Sequence, residues 1–149
     1  MQNGGKEIEA SPGVRVCEAL QYALFYPIFP CRKDKTPLTP HGFKDATTDK
    51  VQISVWWGDI NPEAIGIPTG AESGFWVLDI DGEAGEATLK GLEANYGSLP
   101  LTIQQRTGGG DRHLFFAWPK TGEPIRNSAG KLGAGLDVRG EGGLSLIHI

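Results

Sequence analysis

The segment Phe75-Trp76-Val77-Leu78-Asp79-Ile80-Asp81 decides the fold of this chain. Every residue in it is apolar except the two aspartates near its end, and a strand that is apolar on both faces is typical of the centre of a sheet. Side chains alternate along a strand, so Asp79 and Asp81 project to the same face with their Cα atoms about 7 Å apart. The segment therefore predicts a covered central strand that presents two carboxylates on one side.

Helical and strand patterns surround this central strand. The spacing of apolar residues predicts helices over residues 14–26, 50–57 and 83–96. Short strands are predicted at 28–29 and 136–138, and residues 64–67 are a brief apolar run. The glycine-rich run 108–111 predicts a hairpin between strands 102–106 and 113–118. This order of elements predicts an α+β (mixed α/β) fold with a single sheet and flanking helices.

Length and composition narrow the class of protein. The chain of 149 residues is the size of one domain, and 39% hydrophobic with 21% charged residues is typical of a soluble globular protein. No apolar stretch reaches the roughly 20 residues of a membrane span, and the N-terminal residues lack the apolar core of a signal peptide. We therefore expect a cytoplasmic protein with no membrane partner. Cys17 and Cys31 are too few for a disulfide framework or a cysteine-rich zinc site.

The overall charge argues against one class of nucleic-acid protein. A formal net charge of -4 does not suit a general nucleic-acid coat, because phosphate binding needs clustered Lys and Arg. Residues 101–139 nevertheless hold six basic side chains against three acidic ones. A local basic groove is therefore compatible with the sequence.

Three short patterns contain residues suited to chemistry, and each also has an ordinary structural interpretation. Asp79 and Asp81 repel each other unless a divalent cation bridges them, but a solvated strand end also explains them. His113 follows the glycine-rich turn, where phosphates can approach the backbone, yet a lone histidine beside phenylalanines is more often a packed residue. Asp137 and Arg139 share one face of a short strand, either as functional groups or as a surface ion pair.

Taken in order along the chain, these patterns and several others resemble the N-terminal primase/polymerase (prim-pol) domain of the archaeo-eukaryotic primase superfamily. The resemblance extends from about residue 17 to residue 143. Its motifs begin with Lys35-Thr36-Pro37-Leu38, continue at residues 41–49, 56–57, 65–70, 77–81 and 106–113, and end with Gly135-Leu136-Asp137-Val138-Arg139-Gly140. A series of motifs in this order is far more specific than any one of them.

The resemblance implies an RRM-like catalytic core that performs nucleotidyl transfer as a DNA primase and DNA polymerase. Such domains belong to replication proteins of plasmids, viruses and integrated elements. The implied partners are a DNA template and primer, nucleoside triphosphates, and a fused or separate helicase-type ATPase. Two alternatives stay open: a catalytically weak module that binds single-stranded DNA or an origin, and a metal-dependent phosphohydrolase.

The resemblance also implies roles for individual residues. The metal ligands would be Asp79, Asp81 and Asp137, which hold Mg²⁺ or Mn²⁺, two ions in all. His113 would complete the catalytic set by contacting the phosphates of the incoming nucleotide. Candidates for binding the triphosphate or the DNA are Lys35, Arg112 and Arg139, because basic side chains suit phosphate oxygens.

The chain departs from the family pattern at two places. Asp111 stands in a turn where the family usually has a small residue, and its charge suits a triphosphate site only if it points away or binds metal. At the C-terminus the final strands of the family are missing, and Leu144-Ser145-Leu146-Ile147-His148-Ile149 resembles the translation of a transposon end used in sequencing libraries. We therefore expect a flexible leader at 1–12, an incomplete prim-pol domain at 13–143 and a non-native tail at 144–149, and a truncated fragment that is poorly stable or inactive.

Overall fold

The computed structural model of the protein describes residues 12–107 and 109–148. Contacts within the chain divide it into two units, the first ending at Gly66 and resuming at Leu146, the second formed by Ile67–Ser145. Helices and β-sheets are both present, which confirms the predicted α+β class. Residues 1–11 of the expected leader, and Gly108 of the expected hairpin turn, lie outside the described residues. Among the helices that are described, none has the length and apolar content needed to cross a bilayer.

The first unit is built around a helix that packs against a short strand. In chain order it contains α1 (Pro12–Tyr22), β1 (Phe29–Cys31), a 3-10 turn at Gly42–Asp45, α2 (Lys50–Asp59) and the start of β2 (Ala64–Pro68). Asp49 caps α2, because its carboxylate accepts a hydrogen bond from the Val51 amide at 2.9 Å. Ile53 and Trp57 of α2 are buried, so Trp57, of the two adjacent tryptophans, packs in the core.

Helix α1 ends at Tyr22, whereas the apolar spacing predicted a helix as far as residue 26. Beyond Tyr22 the backbone tightens: the Leu24 amide donates to the Gln21 carbonyl and the Phe25 amide donates to the Tyr22 carbonyl. Bonds of this i to i−3 kind are common where a helix finishes. Pro27 disfavours the helical conformation of the residue before it, so the last predicted turn does not form as α-helix.

The described residues form two sheets, so the expected single sheet is wrong. The first sheet joins β1, β2 and a late strand, β8 (Leu144–His148), with β2 in the middle. The second sheet contains β3 (Phe75–Ile80), β4 (Ile103–Arg106), β5 (Arg112–Ala117), β6 (Ser128–Ala129) and β7 (Leu136–Arg139). Its strand order is β4-β5-β3-β7-β6. Proline cannot donate a ladder hydrogen bond, so β2 stops at Pro68 and the turn at Gly70, with φ 119°, leads into the second sheet.

Residues 144–148 form β8. From the sequence we expected these residues to belong to a non-native tail that stands in place of the final strands of the family. A short apolar segment can add to a sheet whatever the origin of its sequence. The formation of β8 therefore does not test the origin of these residues. The domain bounds expected from the sequence, 13–143, stay a prediction.

The second unit is a sheet covered on one face by α3 (Gly82–Tyr96). Its buried cluster combines Leu89 of α3 with apolar residues of β3, β5 and β7, namely Leu78, Ile80, Leu114, Leu136 and Val138. The strand predicted at 75–80, the helix predicted at 83–96 and the hairpin are confirmed, with β6 added in a stretch that carried no strand pattern. Because the even-numbered side chains of β3 face α3, its odd-numbered side chains project from the opposite face.

Two glycines allow α3 to lie close to the chain that enters β7. A Cβ on Gly85 would lie 2.5 Å from the carbonyl oxygen of Gly135, and Gly135 has a positive φ of 74°. The same carbonyl accepts a hydrogen bond from the Asp81 amide at 2.8 Å. The contact thus ties the start of α3, the end of β3 and the approach to β7 together.

We expect Gly85→Ala to lower the free energy of unfolding by about 1–3 kcal/mol, because the added methyl group meets backbone that cannot move independently. Gly91→Ala in the same helix is the matched control. A Cβ at Gly91 meets nothing within 4 Å, so this change should stabilise the protein by roughly 0.5–1 kcal/mol through helix propensity. Urea denaturation of both variants measures the difference, and equal stability of the two would contradict the close contact.

Candidate metal centre

Three neighbouring strands bring polar side chains, acids from β3 and β7 and a histidine from β5, to the face of the second sheet that α3 does not cover. Asp79 in the central strand β3 lies directly opposite His113 of β5 on one side and Asp137 of β7 on the other. Residues paired in this way share a face of the sheet. Asp81 directly follows the last residue of the same strand. Carboxylate oxygens of Asp79, Asp81 and Asp137 lie within 4.8 Å of one another.

Asp79 is the buried member of this acidic cluster, at 6% exposure. Its Oδ1 lies 3.3 Å from His113 Nε2, but this oxygen has no partner in hydrogen-bond geometry among the described residues. Its Oδ2 lies 3.8 Å from Arg139 Nη2. A buried carboxylate oxygen without a hydrogen bond is costly, and a cation is one group that can satisfy it.

The two other carboxylates are more accessible. Asp81 is exposed and Asp137 is half-buried. Oδ1 of Asp137 accepts a hydrogen bond from the Gly130 amide at 2.9 Å, which restrains the orientation of this carboxylate. Oxygen ligands at this spacing suit Mg²⁺ or Mn²⁺, and the open side leaves room for a substrate. The residues present therefore fit a divalent metal ion.

A family comparison gives this arrangement its context. The family model described as bifunctional DNA primase/polymerase, N-terminal, matches residues 19–148, nearly the whole chain. The chain belongs to this family. No curated protein matches the chain. A primase/polymerase role is therefore assigned at the level of the family, and the acidic cluster lies within the matched residues.

The carboxylates of this prim-pol domain have opposing pKa shifts. Burial by itself raises the pKa of Asp79, but the neighbouring His113 and the Arg139 guanidinium outweigh it, so the pKa lies below its usual value. For Asp81, burial and then the negative charge of Asp79 raise the pKa above its usual value, and Asp111 and Asp137 add to the effect. Without a bound cation, the acidic cluster is therefore a site of electrostatic repulsion.

The basic candidates do not all reach the acidic cluster. Arg139 does, since its Nη2 also lies 3.7 Å from Oδ2 of Asp137. Lys35 belongs to the first unit, where it is exposed and adopts a positive φ of 75° in the turn after β1. Its expected role in binding a nucleotide or DNA stays a prediction.

Arg112 projects from the opposite face of the sheet, because it immediately precedes His113 in β5. Its guanidinium forms a two-pronged pair with Glu86 of α3, with Nε to Oε1 at 2.6 Å and Nη2 to Oε2 at 2.8 Å. This pair holds α3 to β5. The geometry therefore gives no support to the expected contact between Arg112 and a triphosphate.

Two contacts near the acidic cluster were not foreseen from the sequence. The Gly130 amide donates a hydrogen bond to Asp137. Gly130 lies in the loop before β7, where no sequence pattern predicted a contact. Asp111 points toward the start of α3, where its Oδ1 accepts a hydrogen bond from the Gly82 amide at 3.0 Å. The sequence did indicate that residue 111 departs from the family pattern, but it did not indicate that Gly82 is the partner of Asp111.

We expect Asp81→Asn to raise the free energy of unfolding of the metal-free protein at pH 7 by less than about 1 kcal/mol, and with it the melting temperature, because the side chain is exposed. A raised folded-state pKa means that the stability contributed by Asp81 is present at low pH and is lost as the pH rises through that pKa. The advantage of Asn should therefore vanish on acidification, when Asp81 of the wild type is protonated.

Thermal unfolding in a chelator between pH 4 and 8 measures this effect, with Asp59→Asn on α2 as the control. Added Mn²⁺ should reverse the order, since an ion that binds the folded state stabilises the wild type. If Asp81→Asn is less stable than wild type in the chelator at pH 7, the proposed repulsion between Asp81 and the neighbouring carboxylates is disproved.

Proposed function

We propose that this domain is a DNA-dependent primase and polymerase that uses Mg²⁺ or Mn²⁺ for nucleotidyl transfer. The observation that carries the proposal is the acidic cluster of Asp79, Asp81 and Asp137, whose oxygens lie within 4.8 Å in a chain of the prim-pol family. Its biological setting would be replication of a plasmid, virus or integrated element, in the cytoplasm. Template and primer DNA and nucleoside triphosphates are the proposed substrates, and a helicase-type ATPase is the proposed partner.

The three carboxylates would hold a pair of ions. When bound, such ions lower the pKa of the attacking 3′-hydroxyl and neutralise the charge on the leaving pyrophosphate. Asp79 would contribute the buried oxygen that has no other partner among the described residues. Asp81 and Asp137 would contribute oxygens on the accessible side, where the nucleotide and the primer end must meet.

His113 and Arg139 would provide positive or hydrogen-bonding contacts for the triphosphate. Both lie beside Asp79, at 3.3 Å for Nε2 of His113 and 3.8 Å for Nη2 of Arg139. Neither contact is a short hydrogen bond, so each side chain can turn toward phosphate oxygens at little cost. A guanidinium can engage two of these oxygens at once, which also orients the triphosphate.

We expect Asp79→Asn combined with Asp81→Asn to abolish primer extension. Asn is nearly isosteric with Asp, so folding should be preserved while two metal ligands lose their charge. The measurement is extension of a labelled primer on a DNA template with nucleoside triphosphates and Mg²⁺ or Mn²⁺. Asp59→Asn, an exposed acid on α2, is the matched control and should extend the primer normally.

The same assay separates the alternative functions. Elongated products from the wild type support the polymerase. A shift of DNA mobility without products would indicate a binding module, and release of free phosphate would indicate a hydrolase. Extension that survives the double substitution would refute the assignment of the acidic cluster.

We expect His113→Ala to raise KM for the nucleotide by about 10- to 100-fold, because a hydrogen bond to a charged group contributes about 1.5–3 kcal/mol. Arg112→Met is the neighbouring control. It should leave KM unchanged, because the pair with Glu86 lies on the other face, and it should lower the stability by about 1 kcal/mol, since the Glu86 side chain is 47% exposed while that of Arg112 is 19% exposed. Steady-state kinetics of both variants tests this, and equal effects on KM would contradict the division between the two faces.

A further inference from the structure

The start of α3 has an unusual arrangement of its capping groups. Asp81 occupies the N-cap position, yet its side chain makes no capping hydrogen bond within the described residues. An aspartate at this position ordinarily accepts a hydrogen bond from an amide in the first turn of the helix. The carboxylate of Asp81 instead belongs to the acidic cluster. One side chain cannot easily serve both purposes, because capping would turn it toward the helix axis.

Asp111 supplies an acceptor at the start of α3. Its Oδ1 receives the hydrogen bond of the Gly82 amide at 3.0 Å, and that amide belongs to the peptide bond that directly follows Asp81. The first amides of a helix have no partner inside the helix, so an acceptor from elsewhere in the chain stabilises the helix start. The negative charge also suits the positive end of the helix dipole.

The β4–β5 hairpin holds Asp111 in place for this contact. The Thr107 amide donates to the Asp111 carbonyl at 2.9 Å, and the Asp111 amide donates to the Thr107 hydroxyl at 3.3 Å. The backbone on both sides of the carboxylate is thus anchored to one threonine. Gly82 accepts this geometry with a positive φ of 58°, a conformation that glycine adopts without strain.

We propose that Asp111 is a positioning residue, which binds the first amide of α3 so that the Asp81 carboxylate stays free to ligate a divalent ion. The inference rests on the proposed metal function of Asp81. Asp111 acts through the peptide after Asp81 and not as a further ligand. Among the described residues, the only group of three or more possible metal ligands whose ligand atoms lie within 4.8 Å of one another is Asp79, Asp81 and Asp137, and Asp111 is not a member of it.

The test compares Asp111→Ala with Asp111→Asn in the full chain. Alanine removes both the charge and the acceptor, whereas asparagine removes the charge and keeps an oxygen that can accept the Gly82 hydrogen bond. Mn²⁺ binding is measured directly, from the loss of the electron paramagnetic resonance signal of the free ion. Glu123→Gln, an exposed acid in the loop before β6, is the control for removing one negative charge from the same unit.

We expect Asp111→Ala to weaken Mn²⁺ binding by about tenfold, as is usual when a group that orients a metal ligand is lost. Asp111→Asn should stay within about threefold of wild type, and Glu123→Gln should equal it. In nuclear magnetic resonance spectra, the Gly82 amide signal should move in the alanine variant and keep its position in the asparagine variant.

Three other results would each overturn either the proposed metal function or the positioning role of Asp111. If wild type binds no Mn²⁺, both the proposed metal function and this inference fail. If wild type binds Mn²⁺ and Asp111→Ala binds it equally well, only the inference fails. If folded Asp111→Asn loses Mn²⁺, then charge or direct ligation explains residue 111, and the positioning role is overturned even where the alanine variant is too unstable to measure.

Discussion

The buried carboxylate of Asp79 is the constraint on which the second unit depends. It lies on the central strand, between His113 and Asp137 on the neighbouring strands, and one of its oxygens has no hydrogen-bond partner among the described residues. Such a group is tolerated only because the other face of β3 is fixed to α3 by the apolar cluster around Leu78 and Ile80. Apolar packing on one face therefore stabilises an electrostatic arrangement on the other.

The close spacing of the carboxylates lowers the stability of the metal-free protein but suits the binding of divalent ions. Neighbouring carboxylates repel, and this repulsion adds to the effect of burial in raising the pKa of Asp81. Arg139 lies close enough to two of the acids to reduce the repulsion without forming a close ion pair. Asp111 takes over a capping contact at the start of α3. Surrounding residues thus hold the acids in a spacing that suits divalent ions, and the function proposed above would use that spacing for nucleotidyl transfer.

Local patterns predicted the elements of the second unit well and the assembly of the strands poorly. The strand at 75–80 and the helix at 83–96 follow from runs of apolar residues and from glycine and proline at their ends. The division into two sheets and the strands β6 and β8 were missed, since pairing partners lie far apart in the chain. For Arg112 the sequence does contain the relevant information. Side chains alternate along a strand, so Arg112 and its neighbour His113 lie on opposite faces of the sheet and cannot both face the same triphosphate.

The sequence by itself determined that Asp79 and Asp81 share a face, because side-chain direction in a strand has a period of two and needs no partner. It also supported the family resemblance, since that depends on motif order alone. Only the tertiary structure decided that Asp137 lies opposite Asp79, that Arg112 binds Glu86 and that Asp111 meets Gly82. These contacts depend on strand register and helix placement, which arise from packing among distant residues and leave no local pattern in the chain.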